Sequence, residues 1–260
     1  MKLRLHLFEF EDLSWYPNFL REGQTDYLRF LMKMFQVYKL AIPILGKDVL
    51  QTQKSYLLDL CSGGGGTMLL LKSYWEKELG VPFKAKLTDL YPNLSAFQHI
   101  SDITDGAISF ESEPLNALDV PHDPEAFVTI FNGFHHFKPE EADQFLKKIT
   151  DKKMPIGIFE PLDKSWLQII LNTLAICLFI FPATLFIRPF KWTKMIFTYL
   201  IPLIPICTLW DGWVSVFRLY DPQKLREMTR PYDDTYEWKI GTAKHTFGSI
   251  IYCIGLPKEA

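Results

Sequence analysis

The chain has 260 residues, 48% of them hydrophobic, and a formal net charge of −2, which is enough material for one sizeable core with an elaboration. Basic and acidic residues are interspersed along it, so no surface that would track a phosphate backbone is expected, and no nucleic-acid partner. The cysteines Cys61, Cys177, Cys207 and Cys253 lie far apart, forming neither a CxxC pair nor a cluster with histidines at ligand spacing. They read as reduced thiols, and no metal site is expected.

Residues 1–10 mix polar and apolar side chains and lack the pattern of a signal peptide, so the α/β part of the chain is expected to stay in the cytoplasm. An aromatic, acidic arm at 8–16 precedes an amphipathic helix expected over 26–40. A strand at 55–60 runs into a glycine cluster and a helix at 67–79. Next come a strand at 83–88 ending at Asp89, a helix at 94–103, strands at 108–111 and 127–131, a helix at 139–149 and a fifth strand at 156–159. Beyond an apolar block, a helix is expected at 221–228 with Pro222 in its first turn, then an antiparallel strand pair at 236–240 and 249–254. This alternation predicts an α/β fold with a mostly parallel, Rossmann-like sheet and an antiparallel closing strand.

The run LLDLCSGGGGT at 57–67 is an apolar strand that enters a helix through consecutive glycines. Residues without Cβ let the backbone turn tightly and let a flat ligand lie directly on it. The dinucleotide fingerprint GxGxxG, started at Gly63 and Gly65, would place its third glycine at Met68, which disfavours a nicotinamide cofactor. Asp89 follows Gly63 at about the offset where a carboxylate meets ribose hydroxyls, and a carboxylate accepts two hydrogen bonds from a vicinal diol.

With LTDLYPN (87–93), NALDVP (116–121), FNGFHHF (131–137), IFEP (158–161) and WDGWVSVFRLYDPQKL (210–225), the chain resembles class I S-adenosylmethionine (SAM) dependent methyltransferases, and among them a membrane-associated bacterial subset. The resemblance implies SAM as cofactor, with Gly63 and Gly65 facing it and Asp59 orienting the loop. It further implies Asp89 at the ribose, Asn116 and Ala117 flanking the adenine, and Asn132 and Gly133 under the methionine part. Ser62, Thr67 and Leu90 join the expected contacts. So does Tyr27, from an arm with Trp15, Tyr16, Arg21 and Asp26 that is similar to the family's lid. Two positions depart from the family: Cys61 stands at the usual first glycine of the loop, and Asn116 at the usual acid near adenine.

Methyl transfer from a sulfonium is an in-line displacement, so alignment and water exclusion matter most, and a base helps where the acceptor must lose a proton. His135 and His136 at the end of the fourth strand, and Glu160 at the end of the fifth, are the candidate catalytic residues, because open α/β sheets bind ligands beyond the carboxyl ends of their strands.

Residues 166–187 carry no charge and number about 22, long enough to cross a bilayer core. The segment 195–209 is shorter and interrupted by Pro202 and Pro205; between the two lie Arg188, Lys191 and Lys194. A helical hairpin inserted after the fifth strand is expected. A full double crossing would put those cations outside, against the positive-inside preference. The expectation is therefore a hairpin that inserts shallowly or re-enters, with Trp166, Trp192, Trp210 and Trp213 near the interface, and a two-pass anchor stays open because three charges are a modest bias. The units expected are an arm and lid at 1–50, a cofactor-binding core at 51–164, the hairpin at 165–210 and the completion of the core at 211–260. Methylation of a hydrophobic or lipid-like small molecule at a membrane surface is the reading these features support. A SAM-fold sensor without turnover, and a soluble enzyme whose insert is a dimer interface, stay open beside it.

Overall fold

In the computed structural model, which describes residues 4–245 and 248–258, seven strands form one sheet in the order β3-β2-β1-β4-β5-β7-β6. The chain first builds α1 (Asn18–Met34) and α2 (Ala41–Thr52). It then alternates β1 (Tyr56–Leu60), α3 (Gly66–Leu79), β2 (Ala85–Leu87), α4 (Leu94–Ile103), β3 (Ile108–Phe110), β4 (Ala126–Phe131), α5 (Pro139–Asp151) and β5 (Ile156–Glu160). An apolar insert follows, made of α6 (Trp166–Phe186), α7 (Trp192–Met195), a π-helical turn (Ile196–Leu200) and α8 (Leu203–Arg218). Then come α9 (Pro222–Thr229), β6 (Tyr236–His245) and β7 (Gly248–Pro257).

Strands β1 to β5 pair in parallel, and β7 runs antiparallel to both β5 and β6. Central strands covered on both faces are apolar throughout rather than alternating; all six residues of β4 and all five of β5 are buried. On one face Leu45, Leu71 and Phe97 bring α2, α3 and α4 onto the sheet; on the other, Phe145, Ile149 and Leu225 bring α5 and α9. The helix starts are written locally. Asn93 accepts from Ala96 N at 3.2 Å, and Asp221 accepts from Lys224 N at 2.8 Å, each quenching an orphan N–H of the first turn.

The order of strands turns back between β1 and β4, and that reversal leaves a crevice beyond their carboxyl ends. A third apolar cluster sits over it, joining Tyr16, Leu20 and Tyr27 of the arm and α1 to Ile176, Ile180 and Cys207 of the insert.

Three sequence expectations shift. The lid helix is Asn18–Met34 rather than 26–40, because Gln36 takes the left-handed conformation (φ 49°) and ends it. A helix at 41–52 was not expected. Pro43 sits in its first turn, where no intrahelical N–H is needed, and Gly46 leaves room for Leu79, whose Cδ1 would lie 2.7 Å from an added Cβ. The insert does pair α6 with α8, but its second arm is not the continuous 195–209. It bends by 79° between the 192–200 segment and α8, and α8 runs on to Arg218, across the expected boundary at 210/211.

Candidate active site

A cavity of about 430 Å³ occupies the crevice, bounded by the β1–α3 loop, the ends of β2 and β4, the arm, α1, α6 and α8. At its floor, Ser62 Oγ donates to Asp59 Oδ2 at 2.8 Å, and Thr129 Oγ1 donates to Asp59 Oδ1 at 2.9 Å. The Gly63 N–H donates to Asp89 Oδ2 at 2.8 Å, and Tyr91 N donates to Asp89 Oδ1 at 2.8 Å. The glycine loop and the end of β2 are thereby tied together around one concave face. Cys61 and Asn132, the residues at the ends of β1 and β4, both stand at φ 55°, a conformation that carries strain outside glycine and clusters at ligand sites.

Of the expected cofactor residues, Ser62, Gly63, Thr67, Asp89, Leu90, Asn116, Ala117 and Asn132 line the cavity. Four others do not, for distinct reasons. Asp59 lies behind the loop, fully buried, and burial pushes its carboxyl up to about 7 despite the Ser62 and Thr129 bonds. Gly65 turns inward: a Cβ there would meet Leu87 Cδ1 at 2.7 Å and Ile100 Cδ1 at 2.8 Å, so this glycine packs the helix onto the sheet instead of facing a ligand. Gly133 has Cys61 Cβ at 2.7 Å from its own would-be Cβ and permits the close approach of the two loops. Tyr27 points away, its hydroxyl donating to the Ala175 carbonyl of α6 at 2.9 Å. Its place is in the joint between lid and insert, which is where an aromatic ring with one polar tip packs well.

The candidate catalytic residues do converge. His135 and His136 line the cavity, and Glu160 stands directly behind His135, accepting from its main-chain N–H at 3.0 Å and pairing with Nδ1 at 2.9 Å. Burial alone would lower the His135 pKa, but Glu160 and then Glu9 outweigh it and hold the ring up at about 10. The pocket thus favours positive charge here.

The acids of the arm were legible only as a composition. In the fold, Glu9, Glu11 and Asp12 form one wall of the cavity. His136 Nδ1 lies 2.7 Å from Asp12 Oδ1, and Arg218 Nη1 lies 2.5 Å from Asp12 Oδ2 and 3.4 Å from Glu9 Oε1. Asp211 of α8 holds the arm in place, accepting from Phe10 N at 2.8 Å, Glu11 N at 3.3 Å and Gln24 Nε2 at 2.9 Å. Burial raises Asp211 to about 6, and burial, then Asp211, raises Glu11 well above its ordinary range. Asn172, Ala175 and Ile176 of α6, with Thr208, Gly212 and Ser215 of α8, complete the wall. Sequence reasoning missed these because an insert's inner face is set by tertiary packing.

The lid and the insert are strapped by charge. Lys191 pairs with Glu22 at 2.6 Å, and Lys194 pairs with Asp26, which also holds Arg29 at 3.0 Å. Arg29 donates to the Arg188 carbonyl. Thr25 of the same helix touches the glycine loop: its carbonyl oxygen would be 2.9 Å from a Cβ on Gly64.

No protein-family model matches the chain, and no curated protein matches its sequence. Solved structures match in shape. Magnesium protoporphyrin IX methyltransferase from Synechocystis PCC 6803, solved with bound SAH, superposes with a TM-score of 0.50 at 10% identity, covering 88% of this chain and 86% of that one. A SAM-dependent methyltransferase from Aquifex aeolicus matches with a TM-score of 0.43 at 11% identity over 81% and 87%. The strand order, the parallel run from β1 to β5 and the reversed β7 make this the class I SAM-dependent methyltransferase fold.

Proposed function

We propose that the chain is a SAM-dependent methyltransferase that methylates a hydrophobic, lipid-like small molecule at a membrane surface, its catalytic body on the cytoplasmic side. The observation that carries this reading is one cavity that joins the Gly63–Asp89 floor to the His135–Glu160 pair and is walled by the apolar insert.

The floor fits the cofactor. Both Asp89 oxygens are fixed by main-chain donors, yet each keeps a second lone pair that can meet a ribose hydroxyl. Gly63 and Gly64 offer bare backbone. The Asn116 side chain is held by accepting from Leu118 N at 2.9 Å, which sets the loop expected to flank adenine. SAM would supply an electrophilic methyl group on a positively charged sulfur. The protein's share is to hold that donor under α1, to exclude water with the lid and insert, and to present the acceptor with a lone pair free. His135, His136 and Glu160 are the groups placed to act on the acceptor.

The membrane reading rests on the outer face of the insert. Leu167, Ile170, Leu174, Leu178 and Leu185 recur at helical spacing along α6 and are all exposed, and Trp166, Trp192 and Leu200 are exposed by 66, 73 and 77%. An unbroken apolar stripe of this kind marks an interaction surface. Helix α6 is long and apolar enough to cross a bilayer, but the turn that follows it is bound through Lys191 and Lys194 to the lid helix. Lying in the interface satisfies both facts, and so removes the conflict with the positive-inside preference.

The test is transfer of labelled methyl from SAM into a membrane lipid extract by the detergent-purified protein. Label is expected in an organic-soluble product and to depend on added lipid. Transfer solely to water-soluble acceptors, with no effect of lipid, contradicts the proposal.

A further inference from the structure

The wall formed by the arm and the segment after β4 carries three groups of metal-ligand type. Donor atoms of Glu9, His135 and His136 all lie within 4.8 Å of one another. His135 Nε2 is 3.8 Å from Glu9 Oε1, and His136 Nδ1 is 3.4 Å from Glu9 Oε2. The first is too long for a hydrogen bond, and the second is a stretched contact. They fall near the edge of about 3.4 Å that a tetrahedron of ligands has when its metal bonds are about 2.1 Å.

The His135 ring is set up as a ligand. A carboxylate can only accept, so the contact to Glu160 keeps a proton on Nδ1 and makes Nε2 the nitrogen that an ion would take in exchange for a proton. That Nε2 has no hydrogen-bond partner although the residue is only 1% exposed, and the ring lines the cavity. A carboxylate behind the remote nitrogen of a histidine is the arrangement that orients metal-bound imidazoles.

Charge points the same way. Glu160, Glu9 and Asp12 contact the two rings, and Arg218 is the guanidinium paired to this group, so carboxylates outnumber guanidinium and the wall attracts a cation. The two ring centroids are 4.3 Å apart with a tilt of 31°, close enough for one divalent ion to meet both and to offset the negative charge around them.

We propose that Glu9, His135 and His136 bind a divalent first-row transition-metal ion, zinc-like in its ligand preference, with Glu160 as the orienting carboxylate and one position open to the cavity. Binding exchanges the hydrogen bond between His136 Nδ1 and Asp12 for a bond to the ion. The open position suits an oxygen of the acceptor, which the ion would hold and polarise; this role, unlike the ion site, rests on the methyltransferase reading. A metal site runs against the sequence expectation of none, and for a simple reason: Glu9 is more than 120 residues from the histidine pair, so no local spacing announces it.

The experiment uses the full-length protein in detergent, stripped with a chelator and titrated with Co²⁺ as an optical probe, then with Zn²⁺ followed by elemental analysis. Visible Co²⁺ absorption and one Zn²⁺ per chain are expected. Glu9→Gln and His136→Ala should each weaken the ion at least about tenfold, and Glu160→Gln by about 10- to 100-fold. Circular dichroism and thermal unfolding of the same variants check that they fold. Absent or substoichiometric binding in protein that still binds SAH overturns the site, as does binding that survives both Glu9→Gln and His136→Ala. Ion binding without SAH binding would instead uphold the site and sink the methyltransferase reading.

Discussion

The Gly63 N–H reaches the Asp89 carboxylate at 2.8 Å, although the two residues belong to different strand ends and are 26 positions apart. That bond makes the glycine loop and the acid a single unit, with the carboxylate oxygens poised above bare backbone. Asp89→Ala is expected to weaken SAH binding by about 10- to 100-fold, the loss of charge-assisted hydrogen bonds of about 1.5–3 kcal/mol. Asp89→Asn should weaken it as well, because an amide offers a single acceptor oxygen. Isothermal calorimetry gives the numbers; wild-type affinity in both variants would show that the acid serves only the loop.

Gly65 and Gly80 share a left-handed backbone, φ 70° and 66°, but differ in surroundings. A Cβ at Gly65 meets Leu87 and Ile100 below 3.0 Å, whereas one at Gly80 meets nothing within 4 Å. Gly80→Ala should therefore cost about 1 kcal/mol from backbone conformation alone. Gly65→Ala should cost about 1–3 kcal/mol more through overpacking. Denaturant unfolding of the two variants separates these effects, and equal losses would mean that the loop glycine is not packed as described.

Asp26 is fully buried between Lys194 and Arg29. Removing its charge leaves two cations facing each other in a site that excludes water, a change that costs about 3–5 kcal/mol in buried pairs. Asp26→Asn is expected to lower the thermal midpoint and to expose the 187–191 turn to protease, since the strap between lid and insert is lost. Unchanged cleavage kinetics would place the strength of that joint in the apolar contacts of Tyr27 and Ile176.

The exposed stripe on α6 makes the membrane proposal testable apart from chemistry. Replacing Leu167, Ile170, Leu174 and Leu178 together by serine removes apolar area worth about 3 kcal/mol or more when half-exposed side chains enter an interface. Vesicle co-sedimentation should fall by on the order of 100-fold, with SAH affinity intact because none of the four lines the cavity. Retained vesicle binding would assign the stripe to another partner.

Much of the α/β frame could be read from the sequence, because buried parallel strands are continuous apolar runs and the turns between them carry glycine and capping residues. That Asp89, Ser62 and Asn132 would meet at one crevice was legible for the same reason: the loops that bound it directly follow strands. Gly65 and Tyr27 were misplaced, since a positive φ or an aromatic residue near a motif does not say which way the residue faces. The acidic wall of Glu9, Glu11, Asp12 and Asp211 stayed hidden, because it is assembled from the arm and α8, segments about 200 residues apart whose meeting depends on the path of the insert. The bend that splits the second arm was half legible: Pro202 marked a break, but not that α8 would turn back to wall the cavity.

The most direct test of the account is calorimetric titration of the detergent-purified wild-type protein with SAH, with NAD as the comparison. A single-site isotherm for SAH and no heat for NAD is the predicted result. An SAH titration without binding, in protein whose circular dichroism shows the folded α/β frame, would contradict it.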